Sequence, residues 1–94
     1  PFVAEEPTPV LKNGKWGFVD LNGQMVIEPQ YENAGAFNGG LAPIQTNEGW
    51  GYITLDNQIV IMPDFSEARS FYKGVAPVKK GNSWTLIQLN LKSN

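Results

Sequence analysis

The sequence predicts an all-β fold: tandem three-stranded antiparallel meanders of 34-residue period, stacked as in a propeller or a superhelical β-repeat. Three observations point there. First, one stretch recurs. Trp16-Gly17-Phe18-Val19-Asp20-Leu21-Asn22-Gly23-Gln24-Met25-Val26-Ile27-Glu28-Pro29 returns as Trp50-Gly51-Tyr52-Ile53-Thr54-Leu55-Asp56-Asn57-Gln58-Ile59-Val60-Ile61-Met62-Pro63, and Trp84 opens a third copy at the same spacing. A repeat of this length is one supersecondary unit that buries its apolar surface by stacking on its neighbours. Second, tight-turn dipeptides separate short runs rich in β-branched and aromatic residues. Third, those runs are apolar on both faces, as in a sheet covered above and below.

Taken in order, residues 1–8 are an extended lead-in, because Pro7 and Pro9 hold their predecessors out of helix. This opening fits equally a chain start left by removal of a leader or a boundary in a longer chain. Val3 stands one period before Phe37, and Phe37 one period before Phe71, so Phe2 or Val3 is expected to seal the first sheet. The end of a repeat spans 9–15. Full repeats follow at 16–49 and 50–83, and a truncated one at 84–94. Pro9, Pro43 and Pro77 share one repeat position, and their missing donors predict an edge strand. Asn13-Gly14 and Gly81-Asn82 are two-residue hairpin signals, with Asn47-Glu48 a weaker version. After each Trp-Gly strand, Asn22-Gly23 and Asp56-Asn57 turn the chain into a third strand, which Pro29 and Pro63 are expected to end. Gln30–Gly40 and Asp64–Gly74 read as crossovers between sheets, with room for one helical turn. They share an aromatic (Tyr31, Phe65), an alanine (Ala34, Ala68), a phenylalanine plug (Phe37, Phe71) and a glycine (Gly40, Gly74).

A two-residue turn at Asn22-Gly23 would set Val19 against Val26, Phe18 against Ile27 and Trp16 against Pro29. One face then carries Trp16, Phe18, Met25, Ile27 and Pro29, and the other carries Gly17, Val19, Leu21 and Val26. Three short strands cannot cover themselves. Each sheet is therefore expected to stack face to face on the next, about 10 Å away. Gly17 and Gly51 are expected to leave room for a bulky ring of the neighbouring sheet.

Composition narrows the chemistry. The 94 residues contain no cysteine and no histidine, so the usual thiolate, imidazole base and transition-metal ligands are missing. The net charge is −2 with no basic stripe, which disfavours nucleic acid. No apolar run approaches the roughly 20 residues of a membrane helix. Carboxylate pairs such as Asp20 with Glu28, or Glu32 with Glu67, could in principle serve a glycosidase. Asp20 becomes Thr54 and Glu28 becomes Met62 one repeat later, so solubilising surface charge explains them better. Asp20-x-Asn22-Gly23 matches a fragment of a calcium loop, but lacks its other oxygen ligands. It reads as a turn. Lys73, Lys79 and Lys80 read as part of a mixed, solvated surface.

The Trp-Gly-aromatic-aliphatic run, the Gly/Asn turn, the Val-Ile-x-Pro strand and the Tyr/Phe-x-x-Ala-x-x-Phe-x-x-Gly segment together resemble the bacterial WG-repeat family, over roughly residues 8–89. The resemblance implies a repetitive β module with no catalytic residue and no cofactor, often within large proteins that are exported or placed at the cell surface or periplasm. The structural residues it implies are Trp16, Gly17, Pro29, Phe37, Gly40, Trp50, Gly51, Pro63, Phe71, Gly74 and Trp84. The expected role is protein–protein interaction or scaffolding, with self-association through open sheets. Trp16, Trp84, Tyr31 and Phe65 are the contact candidates. Glycan or peptidoglycan binding through exposed aromatics is the alternative.

Overall fold

The short apolar runs become strands, and the turns between them set their order. The computed structural model describes residues 6–89. Ten strands succeed one another: β1 (Thr8–Lys12), β2 (Lys15–Val19), β3 (Met25–Tyr31), β4 (Asn33–Ala34), β5 (Leu41–Thr46), β6 (Gly49–Thr54), β7 (Ile59–Phe65), β8 (Glu67–Ala68), β9 (Val75–Lys80) and β10 (Ser83–Gln88). They form three antiparallel sheets, ordered β1-β2-β3, β4-β5-β6-β7 and β8-β9-β10. No helix occurs among the described residues. The lead-in residues Phe2 and Val3, and the tail from Asn90 onward, lie outside them.

The crossovers differ from expectation. Pro29 and Pro63 do not end their strands: β3 runs on to Tyr31 and β7 to Phe65. A single residue, Glu32 or Ser66, then separates each from β4 or β8, which belongs to the next sheet. The chain thus changes sheet with almost no loop. A short return then closes in a tight turn. Asn38 and Leu41 exchange both backbone hydrogen bonds around Gly39-Gly40, as Tyr72 and Val75 do around Lys73-Gly74. Both central residues have positive φ in each case (66° and 89°, then 54° and 80°), the conformation of a type I′ hairpin turn.

Pro9 lies on an edge strand, β1, as expected, but the edge-strand expectation fails for Pro43 and Pro77. β5 is an inner strand, yet it contains Pro43. The Pro43 carbonyl accepts from Gly35 N at 2.8 Å, and the Pro77 carbonyl from Arg69 N at 3.1 Å. Each proline ring therefore faces the point where the two-residue outer strand has just ended, and no ladder donor is lost.

The register departs from a plain two-residue hairpin as well. Phe18 pairs with Ile27 as expected, but Val19 meets Met25 and Trp16 meets Tyr31. The turn spans three residues, because Asp20 N donates to Gln24 O and Gly23 N to Asp20 O. The Asp20 carboxylate accepts from Asn22 N and Gln24 N, both at 2.9 Å. Thr54 Oγ1 repeats this with Asp56 N and Gln58 N. An oxygen at that position, rather than a carboxylate, is what the turn needs.

Between Trp16 and Phe18 stands one residue, Gly17. Opposite it stand three, Glu28, Pro29 and Gln30. The third strand bulges over the glycine. A Cβ on Gly17 would fall against Ile27 O, 2.7 Å from Pro29 N and 2.9 Å from Glu28 C. On Gly51 it would fall against Ile61 O and 2.8 Å from Pro63 N. The glycine therefore makes room for backbone of its own sheet, not for a ring of the next one. The proline belongs to the same device: the bulge leaves ladder groups unpaired, and proline has no donor to leave.

Face-to-face stacking places the core between sheets. Phe18, Ile27 and Tyr31 of the first sheet cluster with Phe37, Ile44 and Ile53. Tyr52 of the second clusters with Phe71, Ala76 and Val78. Tyr52 and Ile53 are both fully buried, so adjacent residues of β6 serve opposite interfaces. The third strands are the exception to two-sided burial. β3 alternates buried and exposed, and Val26 and Val60 are half exposed. The phenylalanine plugs meet the strand aromatics edge to face in both layers. Phe18–Phe37 centroids lie 4.8 Å apart at 61°, and Tyr52–Phe71 centroids 4.9 Å apart at 62°. Two further bonds span one period each: Ser70 Oγ donates to Ala36 O at 2.7 Å, and Gly40 N to Glu6 Oε2 at 2.6 Å.

Burying Tyr52 also makes the stack sensitive to alkali. Its hydroxyl donates to Arg69 O at 2.6 Å, and burial pushes the phenol up to about 12 from 10.0. The folded state holds the proton more tightly than the unfolded chain. Stability is thus full below the unfolded value and falls as pH rises from about 10 to about 12. Chemical denaturation measured across that window should show this loss, and Tyr52→Phe should remove much of it. A chain whose stability is flat through the window would contradict the assignment.

Candidate interaction surface

The three indoles occupy one repeat position in three sheets, and their surroundings differ. Trp16 is half-buried against the cluster beneath Phe37. Trp50 is half-buried against the cluster around Phe71. Trp84 is 46% exposed. The next position on that face is Phe18 in the first sheet and Tyr52 in the second, both fully buried, but Leu86 in the third, 67% exposed. Of the other contact candidates, Tyr31 is buried and Phe65 half-buried between sheets. The Tyr31 hydroxyl donates to Asn57 Oδ1, and burial raises its pKa. Both serve packing. Among the described residues, Trp84 alone of the four opens on solvent on a sheet face that no other described strand covers.

That face carries charge which its covered equivalents lack. Trp84 pairs with Lys79, and Lys79 with Glu67, so the three share a face, with Arg69 two residues beyond Glu67. The Arg69 guanidinium lies 5.2 Å from the Trp84 ring centre and Lys79 Nζ 6.0 Å, both in range for cation–π attraction. Arg69 also reaches Glu67 at 3.2 Å. One repeat earlier the corresponding residues are Asn33, Gly35 and Gln45, where Asn33 Nδ2 donates to Gln45 Oε1 at 2.8 Å. Read from sequence, the lysines form a mixed surface and Arg69 does not stand out. The signal is nonetheless there: Gly35 and Gln45 become Arg69 and Lys79 at the sheet whose tryptophan is followed by Thr85 instead of glycine. Thr85 is tolerated because no strand bulges over it among the described residues.

Several other charged side chains of the described residues are engaged locally. Glu32 pairs with Lys15 at 2.5 Å and Asp64 with Lys80 at 2.9 Å. Three of the candidate carboxylates thus have local partners: Asp20 its turn, Glu32 and Glu67 their cations. An open, polar cleft of about 630 Å³ runs past the β5–β6 turn, beside Glu32, Glu48 and Asp64. No group of three or more metal-ligating side chains occurs among the described residues.

The profile of the WG containing repeat matches the chain twice, over residues 16–50 and 50–84. The chain belongs to the WG-repeat family. Each match opens on its tryptophan and ends on the next, so the unit runs from one indole layer to the following one. The geometry accounts for the two letters of the WG repeat in the two matched copies: Trp16 and Trp50 pack against the clusters between sheets, and Gly17 and Gly51 lie under the bulge. No curated protein and no solved structure matches the chain.

Proposed function

We propose that this WG-repeat chain is a non-catalytic protein-interaction module, a scaffold segment of a larger bacterial protein, whose working surface is the Trp84–Leu86 face of the β8-β9-β10 sheet, which no other described residue covers. The observation that carries the reading is the fate of one repeat position. Phe18 and Tyr52 are sealed under a neighbouring sheet, whereas Leu86 stands open beside Trp84. Exposed apolar side chains grouped on a flat face mark contact sites more often than chance, and Trp and Arg are the residues most enriched at binding hot spots.

Tryptophan emission titrated with extended polypeptides, and separately with soluble glycans and peptidoglycan fragments, tests it. Polypeptide should shift the emission, sugars should leave it unchanged, and Trp84→Phe should abolish the response. A sugar-dependent change lost in Trp84→Phe would instead establish glycan recognition by the same indole.

A further inference from the structure

The equivalent faces of the first two sheets show what ordinarily covers such a surface. It is a sheet presenting Ile44, Ile53 and Phe37, or Val78, Ala76 and Phe71, all uncharged. On the last sheet an arriving surface of that kind would strip water from Arg69 and Lys79 and return no counter-charge, which is unfavourable. The charge distribution extends the contrast. Residues 66–89 hold four cations against one carboxylate, whereas residues 6–65 hold two lysines against seven. A second copy stacked head to tail would present Val10 and Lys12 of β1, and Lys15 and Val19 of β2, on the outer side of the first sheet, with Glu28 beside the two lysines and Lys15 already paired with Glu32. That surface would meet Arg69 and Lys79 with both signs of charge, a poorer complement than a segment of carboxylates. The cations are held in place: both sit over the Trp84 ring, and Glu67 engages Arg69.

From these observations we infer that the open face of the last sheet docks an acidic polypeptide segment, whose apolar side chains lie on Trp84 and Leu86 and whose carboxylates meet Arg69 and Lys79. This rests on the interaction reading above and names the chemistry of the partner. Arg69 suits a carboxylate because its planar fork can offer two donors while its face stacks on the indole. Lys73, with Nζ 5.5 Å from the Tyr72 ring centre, adds positive potential on the same sheet.

Three dye-labelled synthetic peptides test this by fluorescence anisotropy against the full chain. Each alternates valine with one other residue: glutamate, serine or lysine. The glutamate peptide should bind, roughly tenfold more tightly than the serine peptide, with the lysine peptide weakest. High salt should erase most of that difference. The Arg69→Gln/Lys79→Gln variant should bring glutamate binding down to the serine level. Lys12→Gln/Lys15→Gln, with the same charge removed elsewhere, should not, and circular dichroism confirms that each variant folds. Equal binding of the glutamate and serine peptides, lost in Leu86→Ser, would overturn the acidic partner and leave the interaction module standing. Dimerisation of the chain through Leu86, seen by light scattering, would do the same. No binding by any peptide, with none of the variants altering anything, would overturn both.

Discussion

Gly51→Ala should cost about 3 kcal/mol or more of folding stability, measured by urea denaturation, because the added methyl has no space to enter. Its Cβ would fall against Ile61 O, 2.8 Å from Pro63 N and 3.0 Å from Met62 C. All three are backbone atoms of β7, so no side chain can rotate aside. The strand would have to give up the bulge, and with it the register that places Phe65 opposite Trp50. A domain of this size is stable by only about 5–10 kcal/mol, so one methyl would consume a large part of the margin. Gly17→Ala should behave alike, since the contacts repeat nearly atom for atom. Thr85→Ala, at the same repeat position in β10, should change stability by less than about 0.5 kcal/mol. Equal tolerance at positions 51 and 85 would contradict the bulge explanation.

Phe71→Ala is the second large effect, expected at about 3–5 kcal/mol. Phe71 is buried where the second and third sheets meet, edge-on to the Tyr52 ring. Removing it leaves a cavity that neither sheet can close without tilting, and it forfeits the aromatic pair, worth about 1 kcal/mol by itself. Thermal denaturation monitored by circular dichroism reads the loss. Phe71→Leu should recover a good part of it, because the site asks for apolar volume more than for a ring. A Phe71→Ala chain that melts near the parent temperature would show that the plug does not hold the two layers together.

Much of the architecture is legible in the sequence because its determinants are local and duplicated. The spacing of Trp16, Trp50 and Trp84 fixes the unit, and the two apolar faces of β6 require neighbours on both sides. Interactions between backbones are what escape. A sequence displays side chains, so Gly17 suggests room for a ring, whereas the atoms that need the space are Ile27 O and Pro29 N. Pro29 looks like a strand end for a related reason: a missing donor signals interruption, but inside a bulge it costs nothing. The outer strands at Asn33–Ala34 and Glu67–Ala68 are too short to leave a pattern, and Gly39-Gly40, a hairpin signal, passes for a spacer beside them. At the candidate surface, Trp84 is identifiable as the odd member of its series. Its cationic setting is not, because the pairing of Lys79 with Trp84 and the approach of Arg69 depend on a register that only the fold supplies.

The stacking itself is tested most directly by collisional quenching of each indole in turn, using three chains that retain a single tryptophan with the other two replaced by phenylalanine. Sheets covered in series predict strong acrylamide quenching and red-shifted emission for Trp84, with Trp16 and Trp50 clearly more protected. Three equally accessible indoles would contradict a core formed between stacked sheets.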